Sequence, residues 1–199
     1  MDTALSAIAR APSVDNVRLN PNYLYLRVTI NGRVALLVLG YLDPSPQGPI
    51  EVWYSADREV LRLQNGRLVG AIGVTTEWRN VSLPDLASWS AVAHAKTAVQ
   101  WVRVRDVMPG YRFSVRDSLR LRVIPPPEKA QLQVVDPKSL TWFEEDIESG
   151  SNVLPPAIYG VDLQGGKETV VYGEQCLAPE LCFAWQRWPA DRAALSERK

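Results

Sequence analysis

Val99-Gln100-Trp101-Val102-Arg103-Val104-Arg105-Asp106-Val107, then Met108-Pro109-Gly110, then Tyr111-Arg112-Phe113-Ser114-Val115-Arg116-Asp117-Ser118-Leu119-Arg120-Leu121-Arg122-Val123 decide the fold class. Two runs of period two flank a three-residue turn, the pattern of an antiparallel hairpin. In the second run Tyr111, Phe113, Val115, Leu119, Leu121 and Val123 share one face, interrupted by Asp117. Arg112, Ser114, Arg116, Ser118, Arg120 and Arg122 share the other. Such alternation predicts a sheet with one face on a core and one on water. In the first run Trp101, Arg103 and Arg105 are assigned to the polar face.

Upstream, Asn22–Ile30 and Arg33–Tyr41 meet at Asn31-Gly32, and Glu59–Gln64 and Arg67–Ile72 meet at Asn65-Gly66. Asn-Gly supplies the two positive φ angles of a type I′ turn. Glu51–Ser55 is a further strand, set off by the proline-rich loop Asp43–Pro49. Ser82–Thr97 is the one segment with helical spacing, at Leu86, Trp89, Ala93 and Lys96, with Ser82 as a cap and Asp85 three positions on. Beyond Pro125-Pro126-Pro127, the segments Gln131–Val135, Leu140–Ile147, Ile158–Leu163 and Glu168–Tyr172 read as strands. A short helix is expected over Ala190–Glu197. The prediction is an all-β protein, an antiparallel barrel-like or sandwich sheet of about ten strands with one or two short helices. It forms a single domain over 1–199, with an N-terminal lead segment 1–20 and a C-terminal tail 189–199.

With 46% hydrophobic residues and a formal charge of zero, the chain has the composition of a folded domain and no bulk basicity for a nucleic-acid partner. Zero is nevertheless a sum of unlike parts. Residues 1–127 carry 15 basic and 10 acidic groups, 128–182 carry 3 and 10, and 183–199 carry 4 and 2. The longest apolar run, Val34–Leu39, is far short of the roughly 20 residues of a membrane-spanning helix. Met1–Arg10 lacks the basic start and apolar stretch of a secretory signal, so the protein is either cytosolic or has lost a leader ahead of Met1.

The residues that carry chemistry are few. The single His94 stands apart from any nucleophile motif and reads as a surface or locally hydrogen-bonded side chain. Cys176 and Cys182 with one histidine make no metal set, which leaves a disulfide across the turn at Pro179 or two unrelated buried thiols. No cofactor motif and no metal site is expected. Glu144, Asp146 and Glu148 share one strand face while Glu145 points away. Two such carboxylates are what a glycan hydrolase or lyase needs, whereas the plainer reading is a solvated acidic edge. Of the seven tryptophans Trp101, beside Arg103 and Arg105, is the candidate platform for an acidic saccharide, set against a surface contact between arginine and indole.

Two ordered stretches resemble a known family. The first is Trp53-Tyr54-Ser55-Ala56-Asp57 with Leu61–Val69 and Gly73, and the second is Asn152, Ile158–Asp162, Val170–Gln175 and Pro179. In order and spacing they resemble the YjbF/GfcB family of group four capsule polysaccharide lipoproteins, from about Leu24 to Trp188. The departures are Gly160 in place of an aromatic, Gly165-Gly166 in place of a Thr-Gly turn, Gly173 where a serine is usual nearby, and no lipid-acceptor cysteine near Met1.

The resemblance implies a lipoprotein on the periplasmic side of an outer membrane, attached only through an N-terminal lipid that this sequence lacks, with Met1 standing in place of the leader. It implies a role in exopolysaccharide or capsule production or export and brings no catalytic residues. It also favours the Cys176–Cys182 disulfide, because the periplasm is oxidising. The expected protein is non-enzymatic and binds an acidic polysaccharide or capsule-export proteins through Trp101, Arg103, Arg105, Arg112, Arg116, Arg120 and Arg122. Guanidinium groups in a row would take carboxylates bidentately. The alternative is an envelope glycan hydrolase or lyase using the 144–148 carboxylates.

Overall fold

The computed structural model describes residues 14, 17–84, 86–95, 97–150 and 154–190. Twelve strands run in chain order: β1 (Tyr25–Ile30), β2 (Arg33–Asp43), β3 (Ile50–Tyr54), β4 (Val60–Gln64), β5 (Arg67–Ile72), β6 (Glu77–Ser82), β7 (Val99–Met108), β8 (Arg112–Ile124), β9 (Thr141–Gly150), β10 (Ala157–Asp162), β11 (Thr169–Ala178) and β12 (Leu181–Trp188). Each pairs antiparallel with its neighbours, and β1 closes on β12, with Tyr25 opposite Trp188 and Ile30 opposite Phe183. The sheet is thus a closed barrel, which leaves no strand edge unpaired. Both Asn-Gly turns form as expected: Asn31 and Gly32 have φ of 48° and 77°, and Asn65 and Gly66 have 48° and 76°.

The lumen is filled. Trp53, Trp78, Trp89, Phe143, Tyr159, Phe183 and Trp185 share one buried cluster with aliphatic side chains from most of the strands. Trp89 lies 4.9 Å from Phe143 and 5.1 Å from Tyr159, ring to ring, in tilted contacts. Full burial of each such side chain contributes about 1.5–3 kcal/mol. The ring is short along its strands. Six of its strands have five or six residues, fewer than the roughly 9–11 a crossing needs, and its outer face carries ion pairs.

Four expectations need correction. Glu77–Ser82 and Leu181–Trp188 are strands the sequence pattern does not announce, whereas Gln131–Val135 is not a strand at all. That segment is a strap across the outside of the sheet, where Ala130, Leu132 and Val135 pack on Trp142, Val171, Tyr172 and Ala184. Its backbone finds side-chain partners instead of a ladder. Gln131 N donates to Tyr172 Oη at 2.9 Å, Gln133 N donates to Gln186 Oε1, and Gln186 Nε2 donates back to Gln133 O, both at 2.8 Å. The helix is shorter than Ser82–Thr97: α1 covers Trp89–His94 and is capped by Ser88, whose side chain accepts from Ala91 N. Asp85 and Lys96 lie outside the described residues, as does most of the helix expected over Ala190–Glu197.

The fourth correction concerns Tyr111 and Phe113, which are 76% and 62% exposed and are not core residues. A bulge intervenes: Arg105 pairs with Val115 but Val107 pairs with Arg112, so β8 carries one residue more than β7 between those pairs. Ser114, at φ 53°, donates its N–H to Asp106 Oδ1 at 2.8 Å within this bulge. An extra residue inverts the alternation on one side of it.

Candidate functional site

β7 and β8 pair Arg103 with Asp117 and Trp101 with Leu119. Residues opposite one another in an antiparallel pair face the same way, so the arginines lie on the side of Asp117 and the apolar leucines. That side is the interior. Trp101, Arg103, Arg105 and Asp117 are 7%, 4%, 1% and 0% exposed, which corrects the assignment of the first three to a solvent face. Arg103 donates to Asp117 Oδ2 through Nε (3.0 Å) and Nη2 (2.8 Å), and Arg105 through Nε to Oδ2 (2.7 Å) and Nη2 to Oδ1 (3.2 Å). Both guanidinium groups lie over Trp78, at 4.6 and 4.8 Å from the ring centroid. Burial pushes the Asp117 carboxyl up, but the bonds and charges of Arg105 and Arg103 outweigh it and hold its pKa below the usual 3.8.

A third arginine completes the interior. Arg67, 2% exposed, donates Nε to Glu145 Oε2 at 3.1 Å, and Arg103 Nη1 lies 4.0 Å from Glu145 Oε1. Its guanidinium carbon sits 3.8 Å from the Trp89 ring, 5.1 Å from Trp101 and 5.5 Å from Tyr159. Tyr159 Oη donates to Gln175 Oε1, which also accepts from Leu68 N. Burial, then the nearby Glu145 charge, raise the Tyr159 phenol well above its ordinary 10.0, against Arg67 and Arg103, so it stays neutral. Among the described residues three buried side-chain nitrogens have no partner: Arg67 Nη1, Arg67 Nη2 and Trp101 Nε1. Leaving a buried donor unmet costs about 1–3 kcal/mol, more when it is charged.

This network lies beneath the mouth of the barrel that α1 covers. The α1 backbone is clamped at its first turn by Glu168, whose carboxylate accepts from Trp89 N at 3.0 Å and Ser90 N at 2.8 Å, while Trp89 Nε1 donates to Asn65 O at 3.1 Å. Burial raises the Glu168 pKa, but the bonds from Ser90, Trp89 and Ser88 prevail and lower it. Beside α1 a cleft of 390 Å³ opens between Leu24, Leu39, Asn65, Gly66, Trp89 and Glu168.

The outer face of β8 and β9 is a ladder of ion pairs. Arg120 Nη2 meets Asp146 Oδ2 at 2.7 Å and Arg120 Nε meets Glu148 Oε1 at 3.6 Å, while Arg122 is bonded to Glu144. Gln100 Nε2 adds a bond to Glu148 at 2.6 Å. All four carboxylates of the 144–148 segment are therefore engaged by arginines, Glu145 inside and the others outside. Arg112 and Arg116 are exposed, Arg112 at the rim opposite Val107 and Arg116 opposite Val104. The seven residues expected to form one binding row are thus divided between the two faces of the sheet.

Cys176 and Cys182 stand opposite one another on β11 and β12 and are joined as a disulfide. His94 Nδ1 lies 2.7 Å from Ser90 O, a contact within its own helix.

The model of the family described as group 4 capsule polysaccharide lipoprotein GfcB, YjbF matches residues 9–184. The chain belongs to this family. The family is one of capsule polysaccharide lipoproteins, a description consistent with an envelope location and a role in capsule production. Its fold is similar to that in the crystal structure of the hypothetical lipoprotein YmcC from Escherichia coli K12. The two share a TM-score of 0.61 and 17% identity over 83% of each chain. Among curated proteins none matches. The YjbF/GfcB barrel encloses Arg67, Asp117 and Glu145, of which the hairpin pattern marks Asp117 only as an interruption. That interruption is the available signal, because a lone acid on a core face needs cations nearby, while the bulge between Arg105 and Val107, which sets Arg103 opposite Asp117, leaves no mark in the alternation.

Proposed function

We propose that this YjbF/GfcB lipoprotein acts without catalysis on the periplasmic side of the outer membrane, binding an acidic glycan or export-machinery proteins during capsule or exopolysaccharide production. One observation carries the reading: every carboxylate of the 144–148 segment is tied to an arginine. A glycosidase needs two carboxyl groups free to reach the glycosidic bond, and these are taken up by guanidinium groups of the same sheet. The buried side chains that occupy much of the lumen favour binding at the outer surface and at the mouths of the barrel.

The test is a strain lacking the gene, complemented with the triple variant Glu144→Gln, Asp146→Asn, Glu148→Gln. These are surface pairs, worth about 0–1 kcal/mol each, so the variant folds. Capsule at the wild-type level, with no new reducing ends when purified protein meets the cognate polysaccharide between pH 4 and 9, is the expected result. Capsule lost together with a cleavage activity that wild type has and the variant lacks would refute it.

A further inference from the structure

We infer that Arg67 and Trp101 form an internal site for a carboxylate-bearing sugar, entered at the barrel mouth that α1 covers. The inference rests on the proposed binding of an acidic glycan and gives that binding a place. Its starting point is an imbalance: among the described residues Arg67, Arg103 and Arg105 face two buried carboxylates, Asp117 and Glu145. Asp117 is saturated by four bonds from two arginines, and Glu145 takes Arg67 through Nε alone. Arg67 Nη1 and Nη2 are left aimed at no acceptor, and so is Trp101 Nε1. Trp101 is also near the same guanidinium, at 5.1 Å.

The unmet set matches one ligand chemistry. The paired Nη atoms of a guanidinium offer parallel donors to a carboxylate, and an indole N–H offers one more. Aromatic rings around the same arginine supply faces on which a pyranose can lie. Of the three rings near Arg67, Trp89 also lines the open cleft, so Trp89 is the partition between solvent and the guanidinium. It rides on a helix of six residues, held by Glu168 and by Asn65 O. An indole and a pyranose ring are of similar size. When α1 turns outward, the space that Trp89 leaves accepts one sugar ring, and the sugar's carboxylate supplies the third negative charge.

The experiment is titration of the full chain, with 15N-labelled tryptophan, by D-glucuronate, with D-glucose, sodium acetate and sodium chloride at matched ionic strength as comparisons. Indole N–H resonances are assigned by single Trp→Phe variants. Trp101→Phe keeps the ring and removes the donor, and its thermal midpoint reports folding. Glucuronate should shift the Trp101 and Trp89 resonances where glucose does not, and Trp101→Phe should weaken binding about tenfold, the loss of one charge-assisted bond. A silent Trp101 resonance means buried water meets these donors and overturns the site. Equal shifts with glucose, acetate or chloride overturn the sugar-acid assignment, and in the case of acetate or chloride they leave an adventitious ion only. If Trp101 is silent while cognate polysaccharide still sediments with the protein, the site is wrong and the binding role stands. If the polysaccharide fails to sediment as well, the binding role falls too.

Discussion

Asp117→Asn tests whether the barrel is held by its internal charges. The carboxylate is 0% exposed and takes four hydrogen bonds, two from Arg103 and two from Arg105. The asparagine has nearly the same shape, but it removes the charge and turns an amide N–H₂ toward a guanidinium. Among the described residues the interior then holds three arginines against Glu145. Breaking one side of a buried ion pair costs about 3–5 kcal/mol. For a chain of this size that lowers the melting temperature by about 6–20 °C.

Urea unfolding followed by tryptophan fluorescence measures the difference, with an unchanged urea slope confirming that only stability moved. Replacing the group, as Asp117→Leu with Arg103→Met and Arg105→Met, should recover most of the loss, because apolar residues of similar volume can stand in for a buried ion group and Glu145, which loses the 4.0 Å contact with Arg103, keeps its bond from Arg67. The acid limb gives a second readout. The folded carboxyl titrates below 3.8, so the stability it contributes is present above that pH and lost as pH falls through the lower folded value. The asparagine variant lacks that portion of the acid-induced loss. A variant within about 0.5 kcal/mol of wild type, or a triple variant no better than the single one, refutes the reasoning.

Further tests address other regions of the fold. Gly66→Ala should destabilise by more than about 1 kcal/mol in chemical denaturation, since φ is 76° and an added Cβ would stand 2.2 Å from Val170 Cγ2. Cys176→Ser with Cys182→Ser should cost about 2 kcal/mol for the short loop released, and intact mass should rise by about two units on reduction of wild type. Glu168→Ala should loosen α1, seen as faster amide hydrogen exchange over Trp89–His94 with the exchange of β7 unchanged. Because the Glu168 pKa is lowered from 4.5, the same loosening should appear in wild type as pH falls below that value, and not above it.

The hairpins were the legible portion of the fold. Asn31-Gly32, Asn65-Gly66 and Met108-Pro109-Gly110 each specify a turn by backbone chemistry alone, and strands of alternating character leave them in both directions. β12 escaped because Leu181–Trp188 is buried on both sides, by the lumen and by the neighbourhood of the strap, so it shows no alternation. The strap misled for the converse reason: Gln131–Val135 alternates like a strand, but its N–H groups go to Tyr172 and Gln186 side chains. Period two places Trp101, Arg103 and Arg105 on one face without saying which face is inside. Polarity suggested water, and the pairing with Asp117 decides otherwise. Arg67 carried no local signal, since its partner Glu145 is 78 residues away.

Closure of the ring also sets how the molecule bears load. Tyr25 at the start of β1 lies opposite Trp188 at the end of β12, so the chain enters and leaves the sheet side by side at one rim. A pull on both termini acts across that ladder at its end, and the bonds break in succession, as the teeth of a zipper do. A pull between the Trp188 end of β12 and the hairpin tip at Asn31-Gly32 runs along the paired strands and must break the row together.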